Sequence, residues 1–138
     1  MIKLTYCLHR LPSLSRVEFQ DYWRGTHAPL VAAAREALGI RRYIQQHTID
    51  SPIGAANNEG RGIPYGDGED FDGVAELWFD SEDAVAAAVA TEEGQKHARI
   101  LFEDEANFID FARSRSFITQ ANEVIASLLQ KIALRRNN

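Results

Sequence analysis

The chain has 138 residues, 45% of them hydrophobic and 25% charged, which is the balance of one ordinary globular domain. Its net charge of −5 argues against nucleic-acid binding, because phosphate backbones are bound by clustered lysine and arginine. The single cysteine, Cys7, has no partner for a disulfide, and no apolar run is long enough to span a membrane. The N-terminus lacks a signal-peptide pattern, so we expect a cytoplasmic protein.

The chain begins with a predicted strand followed by a predicted helix. Residues 2–8 alternate between apolar and mostly polar side chains, which predicts the strand. Ser15 and Glu18 then have the spacing of a capping box, which predicts a helix start, and Gly39 is the expected stop.

Within this helix, Phe19, Trp23 and His27 recur every four residues and therefore share one face. Pro29 lies inside the same helix and cannot donate a hydrogen bond to the carbonyl of Gly25. The sequence therefore predicts a bend or a π-type irregularity beside a histidine on the inward face.

The remaining elements are read from periodicity and from turn residues. Residues 51–71 are rich in glycine, proline and acids, which predicts a loop or flap longer than most connections. The other predicted elements, in chain order, are strands over 41–48 and 71–79, helices over 82–90 and 91–102, a last strand over 116–125, and a tail.

The resulting order β-α-β-β-α-β predicts an α+β, ferredoxin-like fold: a four-stranded antiparallel sheet with helices on one face. We expect a domain over residues 1–126 and a C-terminal tail over 127–138. Both sides of the strands carry apolar residues, whereas the helices cover only one side. A homodimer through the open sheet face is therefore predicted.

Four segments resemble one known family: residues 15–23, 27–31, 72–81 and 104–110. Their aromatic residues followed by His-Ala-Pro, and the strand Glu-Leu-Trp-Phe, are similar to the EthD family of the dimeric α+β barrel superfamily. This resemblance implies that two subunits pair their sheets into a barrel, and that ligands bind between each sheet and its own helices. The wider superfamily includes decarboxylases, cyclases and monooxygenases, so the resemblance defines the fold more narrowly than the reaction.

His27 is the first candidate for chemistry, because an imidazole exchanges protons near neutral pH. The alternative is a buried histidine that only holds the helix to the sheet. Tyr43 and Glu76 are its predicted catalytic partners, although for Glu76 an ion pair at the dimer interface is slightly favoured. The predicted substrate-binding residues are Tyr6, Trp23, His47 and Trp78, although for His47 a surface position is favoured and both tryptophans can be core.

Other polar residues carry less weight. His9 and His97 have polar neighbours, and Asp104, Glu105 and Asp110 are interpreted as caps and a solvated face. No spacing of histidines and acids matches a metal site, and no glycine-rich phosphate loop follows a strand, so no cofactor is predicted.

The leading hypothesis is a cofactor-independent enzyme, an oxidoreductase or lyase, acting on a small apolar or aromatic metabolite. Proton transfer, decarboxylation and oxidation all fit the sequence. The alternative is a non-catalytic protein that binds a hydrophobic metabolite in the same cleft.

Overall fold

The computed structural model describes residues 1–137, so Asn138, at the end of the predicted tail 127–138, lies outside the described residues. The helices and strands follow one another in this order: β1 (Ile2–Leu8), α1 (Arg16–Tyr22), a π-helical turn (Trp23–His27), α2 (Ala28–Ala33), α3 (Arg35–Leu38), β2 (Arg42–His47), α4 (Pro52–Arg61), β3 (Gly73–Phe79), α5 (Glu82–Val89), α6 (Glu92–Glu105), β4 (Arg115–Thr119) and α7 (Leu128–Arg136).

The four strands form one antiparallel sheet in the order β2-β3-β1-β4. In the register of this sheet, Tyr6 lies opposite Ala75, and Thr5 lies opposite Glu76 and Phe117. Opposed residues point to the same side, so alternate residues of each strand face the helices or the open side. The predicted ferredoxin-like α+β fold is confirmed.

The predicted first helix corresponds to α1, the π-helical turn, α2 and α3 together, and this segment begins and ends where the sequence predicts. The hydroxyl of Ser15 accepts from the amide of Glu18, while the Glu18 carboxylate accepts from the Ser15 amide, so both halves of the capping box are present. Gly39 ends α3 with a φ of 68°, a conformation that glycine adopts without steric cost.

The predicted irregularity beside His27 is a turn of π-helix. The amide of Ala28 donates to the carbonyl of Trp23, five residues back, and Pro29 lies in the first turn of α2. The wider turn accommodates a proline that lacks an N–H, and π-turns of this kind often occur at functional sites.

Aromatic side chains from α1, from the π-turn and from the segment after α6 form the centre of the core. Phe19, Trp23 and Phe108 are all essentially inaccessible to solvent. Phe19 contacts both of the others, with ring centroids 5.6 Å from Trp23 and 5.4 Å from Phe108. These contacts fix α1 and the π-turn against the sheet.

Gly73, the first residue of β3, allows this packing. A Cβ atom at this position would overlap the six-membered ring of Trp23 and lie 2.7 Å from the carbonyl oxygen of Gln46. We expect Gly73→Ala to lower the free energy of unfolding by about 1–3 kcal/mol, the usual cost of overpacking a core. Urea unfolding measures this loss, with Gly60→Ala as the control, because a Cβ at Gly60 meets no atom within 4 Å. Equal stability of the two variants would contradict the prediction.

The prediction of a loop over 51–71 is wrong for its first half. Residues 52–61 form α4, in which Ser51 caps the amide of Gly54 and Pro52 occupies the first turn. Gly62 ends the helix with a φ of 66°. These are ordinary helix start and stop signals, obscured in the sequence by two glycines and two asparagines that favour turns.

The open face of the sheet is mixed in character. Lys3 pairs with Glu76 across β1 and β3 at 3.2 Å, and Trp78 lies beneath the Lys3 ammonium and the Arg42 guanidinium. Phe117 on β4 is about half exposed on this face.

In the part of the chain that the structure describes, no helix combines the length and apolar character needed to cross a membrane.

Candidate functional site

A cavity of about 290 Å³ lies between the inner face of the sheet and the helices. Its walls are mainly aliphatic and aromatic side chains of β1, β3, α5 and α6, including Leu4, Leu77, Phe79, Val85 and Leu101. Four polar side chains also line it: Tyr6, His27, Tyr43 and Glu105. An apolar cleft with a few convergent polar groups is the usual form of a small-molecule site.

His27 is held by a carboxylate outside the cavity wall. Its Nδ1 lies 2.8 Å from Oδ2 of Asp104, and the hydroxyl of Tyr22 donates to Oδ1 of Asp104 at 2.6 Å. Burial raises the pKa of Asp104, but the hydrogen bonds from Tyr22 and His27 outweigh this effect and hold it below its ordinary value. The carboxylate is therefore ionised at neutral pH and can only accept hydrogen bonds.

The protonation of His27 follows from this contact. Burial lowers the pKa of His27, although the hydrogen bond and charge of Asp104 oppose the change. The ring is therefore neutral near pH 7, with its proton on Nδ1 facing Asp104. Nε2 has no hydrogen-bond partner among residues 1–137, and the ring lines the cavity. A basic lone pair is thus available to a ligand.

Glu105, the next residue along α6, is in the opposite electrostatic situation. Burial in the apolar cavity wall, with a smaller contribution from the charge of Asp104, raises its pKa to about 7. Near neutral pH its protonated form is therefore substantially populated. Adjacent residues of one helix thus supply an ionised carboxylate outside the cavity and a proton-bearing carboxyl inside it.

Two tyrosines complete the polar part of the cavity. Burial raises the pKa of both Tyr6 and Tyr43, and the nearby charge of Glu105 raises each further, while hydrogen bonds from Gln45 and Trp23 oppose the change at Tyr43. Both phenols are consequently protonated at neutral pH and can donate hydrogen bonds.

Gln45 links Tyr43 to the π-turn and to His47. Its amide nitrogen lies 2.9 Å from both the Trp23 carbonyl oxygen and the Tyr43 hydroxyl. Its amide oxygen accepts from Nε2 of His47 at 2.9 Å, and the His47 ring lies 4.6 Å from the Trp23 ring. His47 therefore shares a strand face with Tyr43 as expected, but it lies behind Trp23 rather than in the cavity wall.

Two predicted site residues lie elsewhere. Glu76 and Trp78 project from the open face of the sheet, on the opposite side from Ala75 and Leu77, which line the cavity. Glu76 forms the ion pair with Lys3 that the sequence allowed as its alternative. We therefore correct the expectation that these two residues share a cleft with His27.

Asp104 and Glu105 were missed by sequence reasoning, which assigned both to a solvated face. The predicted helix ended at Phe102, whereas α6 continues to Glu105. Ala98, Leu101, Phe102 and Glu105 are spaced as i, i+3, i+4 and i+7 and all line the cavity. Extending the apolar stripe of α6 by one turn would have identified Glu105.

The structure offers no cluster for a metal ion within residues 1–137: no group of three or more histidine, cysteine, aspartate or glutamate side chains is arranged to bind one. The arrangement of the cavity is instead suited to proton transfer, with a base, an acid and two phenols around an apolar volume.

The fold and cavity define the class: a ferredoxin-like α+β domain with an apolar cavity between its sheet and helices. The sequence matches the EthD domain over residues 11–112, and the protein belongs to the EthD family. No curated protein matches the sequence significantly.

Solved structures agree with this assignment. An ethyl tert-butyl ether D (EthD) family protein from Bacillus halodurans is 22% identical, with a TM-score of 0.56 over 88% of this chain and 99% of its own. An EthD-like protein from Ralstonia eutropha is 15% identical, with a TM-score of 0.58 over 91% of this chain and 96% of its own. A protein of unknown function from Bacteroides fragilis, described as dimeric with a ferredoxin-like fold, is 12% identical, with a TM-score of 0.53 over 87% and 95%.

Proposed function

We propose that the protein binds a small, uncharged, largely apolar molecule in the cavity and transfers a proton on it. The observation that supports this proposal is the pairing of an unpartnered His27 Nε2 with a Glu105 carboxyl of pKa about 7 in one apolar cavity. The volume of about 290 Å³ is roughly twice that of the ~150 Å³ apolar cavity known to hold benzene. One or two rings with a few substituents are the corresponding ligand size.

The charges of the lining residues favour an uncharged ligand. Of residues 1–137, those that line the cavity include neither lysine nor arginine, whereas Glu105 becomes negative as the pH rises. A carboxylate ligand would be desolvated without a counter-ion and would repel ionised Glu105. Among the reactions that the sequence allows, decarboxylation is therefore less well supported than proton transfer on a ketone or phenol.

A tautomerisation illustrates the chemistry. His27 Nε2 accepts the proton of an acidic C–H bond, and the electron pair of that bond moves to the neighbouring carbonyl. The protonated form of Glu105, or the phenol of Tyr6 or Tyr43, donates a hydrogen bond or the proton to the developing oxygen anion. Asp104 stabilises the imidazolium that forms on His27. All electrons stay within the substrate, so the step requires no redox cofactor.

Solvent hydrogen exchange of cyclic ketones, followed by NMR in D₂O, tests the proposal. We expect the protein to accelerate exchange of the α-hydrogen and His27→Ala to abolish the acceleration. His97→Ala is the matched control, because His97 lies on the same α6 helix as Glu105 but outside the cavity lining. The rate should fall as Glu105 loses its proton, that is, above pH about 7. Exchange unaffected by His27→Ala would refute the assignment of His27.

Thermal shift separates binding from catalysis, because a ligand of the native state raises the midpoint by mass action. We expect uncharged phenols and ketones to raise the midpoint and the corresponding carboxylates to have no effect. A shift without any exchange would favour the alternative, a non-catalytic binding protein.

We further propose that two copies pair through the open sheet faces. Ile44, Val74, Trp78 and Phe117 give this face apolar area on three of its four strands, by their register. Light scattering should report a dimer, and Phe117→Asp should shift it towards monomer, because an unpaired carboxylate would be buried at the interface. An unchanged mass for this variant would contradict pairing through this face.

A further inference from the structure

An apolar surface that the proposed function leaves unused lies in the C-terminal segment. Leu128, Leu129 and Ile132 recur on one side of α7, and Leu128 and Leu129 are 73% and 79% exposed. Within the described residues, α7 buries none of its side chains. Helices shorter than ~12–15 residues are marginal in water on their own, so a nine-residue helix with an exposed apolar side needs a surface to pack on.

A groove of matching character lies at the other edge of the sheet. It has a volume of about 780 Å³ and lies between α4 and the segment that leads into β3. We call it the α4 groove; its apolar lining includes Ile49, Ala55, Ile63, Tyr65 and Phe71. Ile49 is 77% exposed, and within residues 1–137 α4 buries none of its side chains.

The charges of the helix and the groove are complementary. Asp50, Glu69 and Asp70 line the groove, and no lysine or arginine among residues 1–137 does so, although Arg16 contacts Asp50 from outside at 3.3 Å. The α7 helix carries Lys131, Arg135 and Arg136 and no acidic residue. An apolar side with a basic end therefore meets an apolar groove with an acidic rim.

The topology favours a second copy as the source of the helix. The groove follows the end of β2, whereas α7 follows the end of β4, and these two points lie at diagonally opposite corners of the sheet. By the register of the sheet, three strand spacings and five residues of strand separate the corners by about 22 Å. The nine Cα-to-Cα steps from Thr119 to Leu128 span at most ~32 Å, so the same chain would need an extended linker to reach the groove. Among residues 1–137, α7 buries no side chain against its own subunit, which favours a second copy. Stacking two sheets face to face brings the tail of each copy nearer to the groove of the other.

We propose that the α7 helix of one copy docks in the α4 groove of a second copy. The exchange is reciprocal in a two-fold dimer, so each partner contributes one helix and one groove. It gives a function to two features that the cavity does not use, the protruding α4 and the basic amphipathic tail. The occupant is a second copy of this chain.

Disulfide trapping between two differently substituted chains tests the proposal. Both chains carry Cys7→Ser; one also carries Leu129→Cys and the other Ile63→Cys, and they are mixed under mild oxidation. We expect a disulfide-linked product of twice the 15.5 kDa chain mass. Val89→Cys replaces Ile63→Cys in the control mixture, because Val89 is similarly exposed, 42% against 45%, but lies on α5. The control should give no such product.

Three outcomes would overturn the proposal. The first is the absence of the mixed disulfide. The second is an intrachain disulfide in a monomeric chain that carries both cysteines, which would show that the tail reaches its own groove. The third is binding of the protein to anionic lipid vesicles through α7 with no mixed disulfide, which would identify a membrane surface as the occupant.

Hydrogen exchange of the unsubstituted protein gives an independent readout. We expect the amides of residues 128–136 to be protected, and the protection to be lost in a chain carrying Leu128→Glu and Leu129→Glu. An isolated nine-residue helix would exchange freely. Free exchange in the unsubstituted protein would therefore also overturn the proposal.

Discussion

Replacing Asp104 by asparagine is expected to lower the free energy of unfolding by about 2 kcal/mol at pH 7, because hydrogen bonds to a charged group contribute about 1.5–3 kcal/mol each. The substitution removes the ionised acceptor shared by Tyr22 and His27, which lie 2.6 and 2.8 Å from its oxygens. The pKa of Asp104 is lowered in the folded state, so its stabilising effect is present above its ordinary value and is lost as the pH falls. Urea unfolding at pH 7 and at low pH measures the difference.

The same substitution should change the state of His27. Without the carboxylate, burial alone acts on the imidazole, so its pKa should fall further below its ordinary value. An asparagine can also donate to Nδ1, which would move the ring proton to Nε2 and remove the base from the cavity. Nitrogen NMR of the histidines reports both effects. Glu103→Gln, which alters an exposed carboxylate on the same helix, is the control. An unchanged His27 signal in Asp104→Asn would contradict the assigned contact.

Replacing Glu105 by glutamine is expected to stabilise the protein at alkaline pH. The pKa of Glu105 rises from 4.5 to about 7 on folding, so the folded state binds more protons than the unfolded state between these values. Stability therefore falls as the pH rises from about 4.5 to about 7, and ionised Glu105 costs roughly 3 kcal/mol above this range. Glutamine carries no charge and avoids this cost. The gain should be present at pH 8 and absent at pH 4.

Unfolding curves of the two proteins at several pH values measure this dependence. A stability difference that does not change with pH would show that the Glu105 carboxyl titrates normally. Carbon NMR of its side chain, with an apparent pKa near 7 expected, provides the direct measurement. These measurements report only stability. Whether Glu105→Gln still accelerates hydrogen exchange of the ketone is measured separately, by the exchange assay.

The two variants together test whether the neighbouring carboxyl groups of Asp104 and Glu105 are in opposite protonation states. Asp104 and Glu105 are neighbours, yet donors from Tyr22 and His27 keep the first ionised while burial keeps the second protonated. An enzyme that transfers protons at neutral pH needs such a pair of environments. Opposite pH dependences for the two variants would support that arrangement in the unliganded protein.

Much of the helix that holds His27 is determined locally. The capping box, the stop at Gly39 and the irregularity before Pro29 each depend on residues within one or two turns, so they can be read from the sequence. The strand alternation similarly predicts the ferredoxin-like order of elements. The wrong prediction of a loop where α4 forms also has a local origin, because the cap signals of α4 compete with glycine and asparagine residues that favour turns.

The set of residues that line the cavity cannot be predicted from local sequence alone, because it depends on which elements face one another. Four of the predicted site residues do line the cavity, because each lies on the inward face of its own strand or helix: Tyr6, Trp23, His27 and Tyr43. Glu76 and Trp78 were assigned to the cleft although the register of the sheet turns them to the open face. A polar residue on a strand with apolar residues on both sides gives no local indication of its direction.

By itself, then, the sequence determined the fold class, the family and the inward position of His27, since periodicity and caps act over short distances along the chain. Tertiary structure alone decided that Asp104, 77 residues away, holds Nδ1 of that histidine, and that Glu105 lines the cavity. The physical reason is that pKa values and hydrogen-bond partners depend on burial and on contacts between distant segments. Those contacts form only when α6 packs across the π-turn.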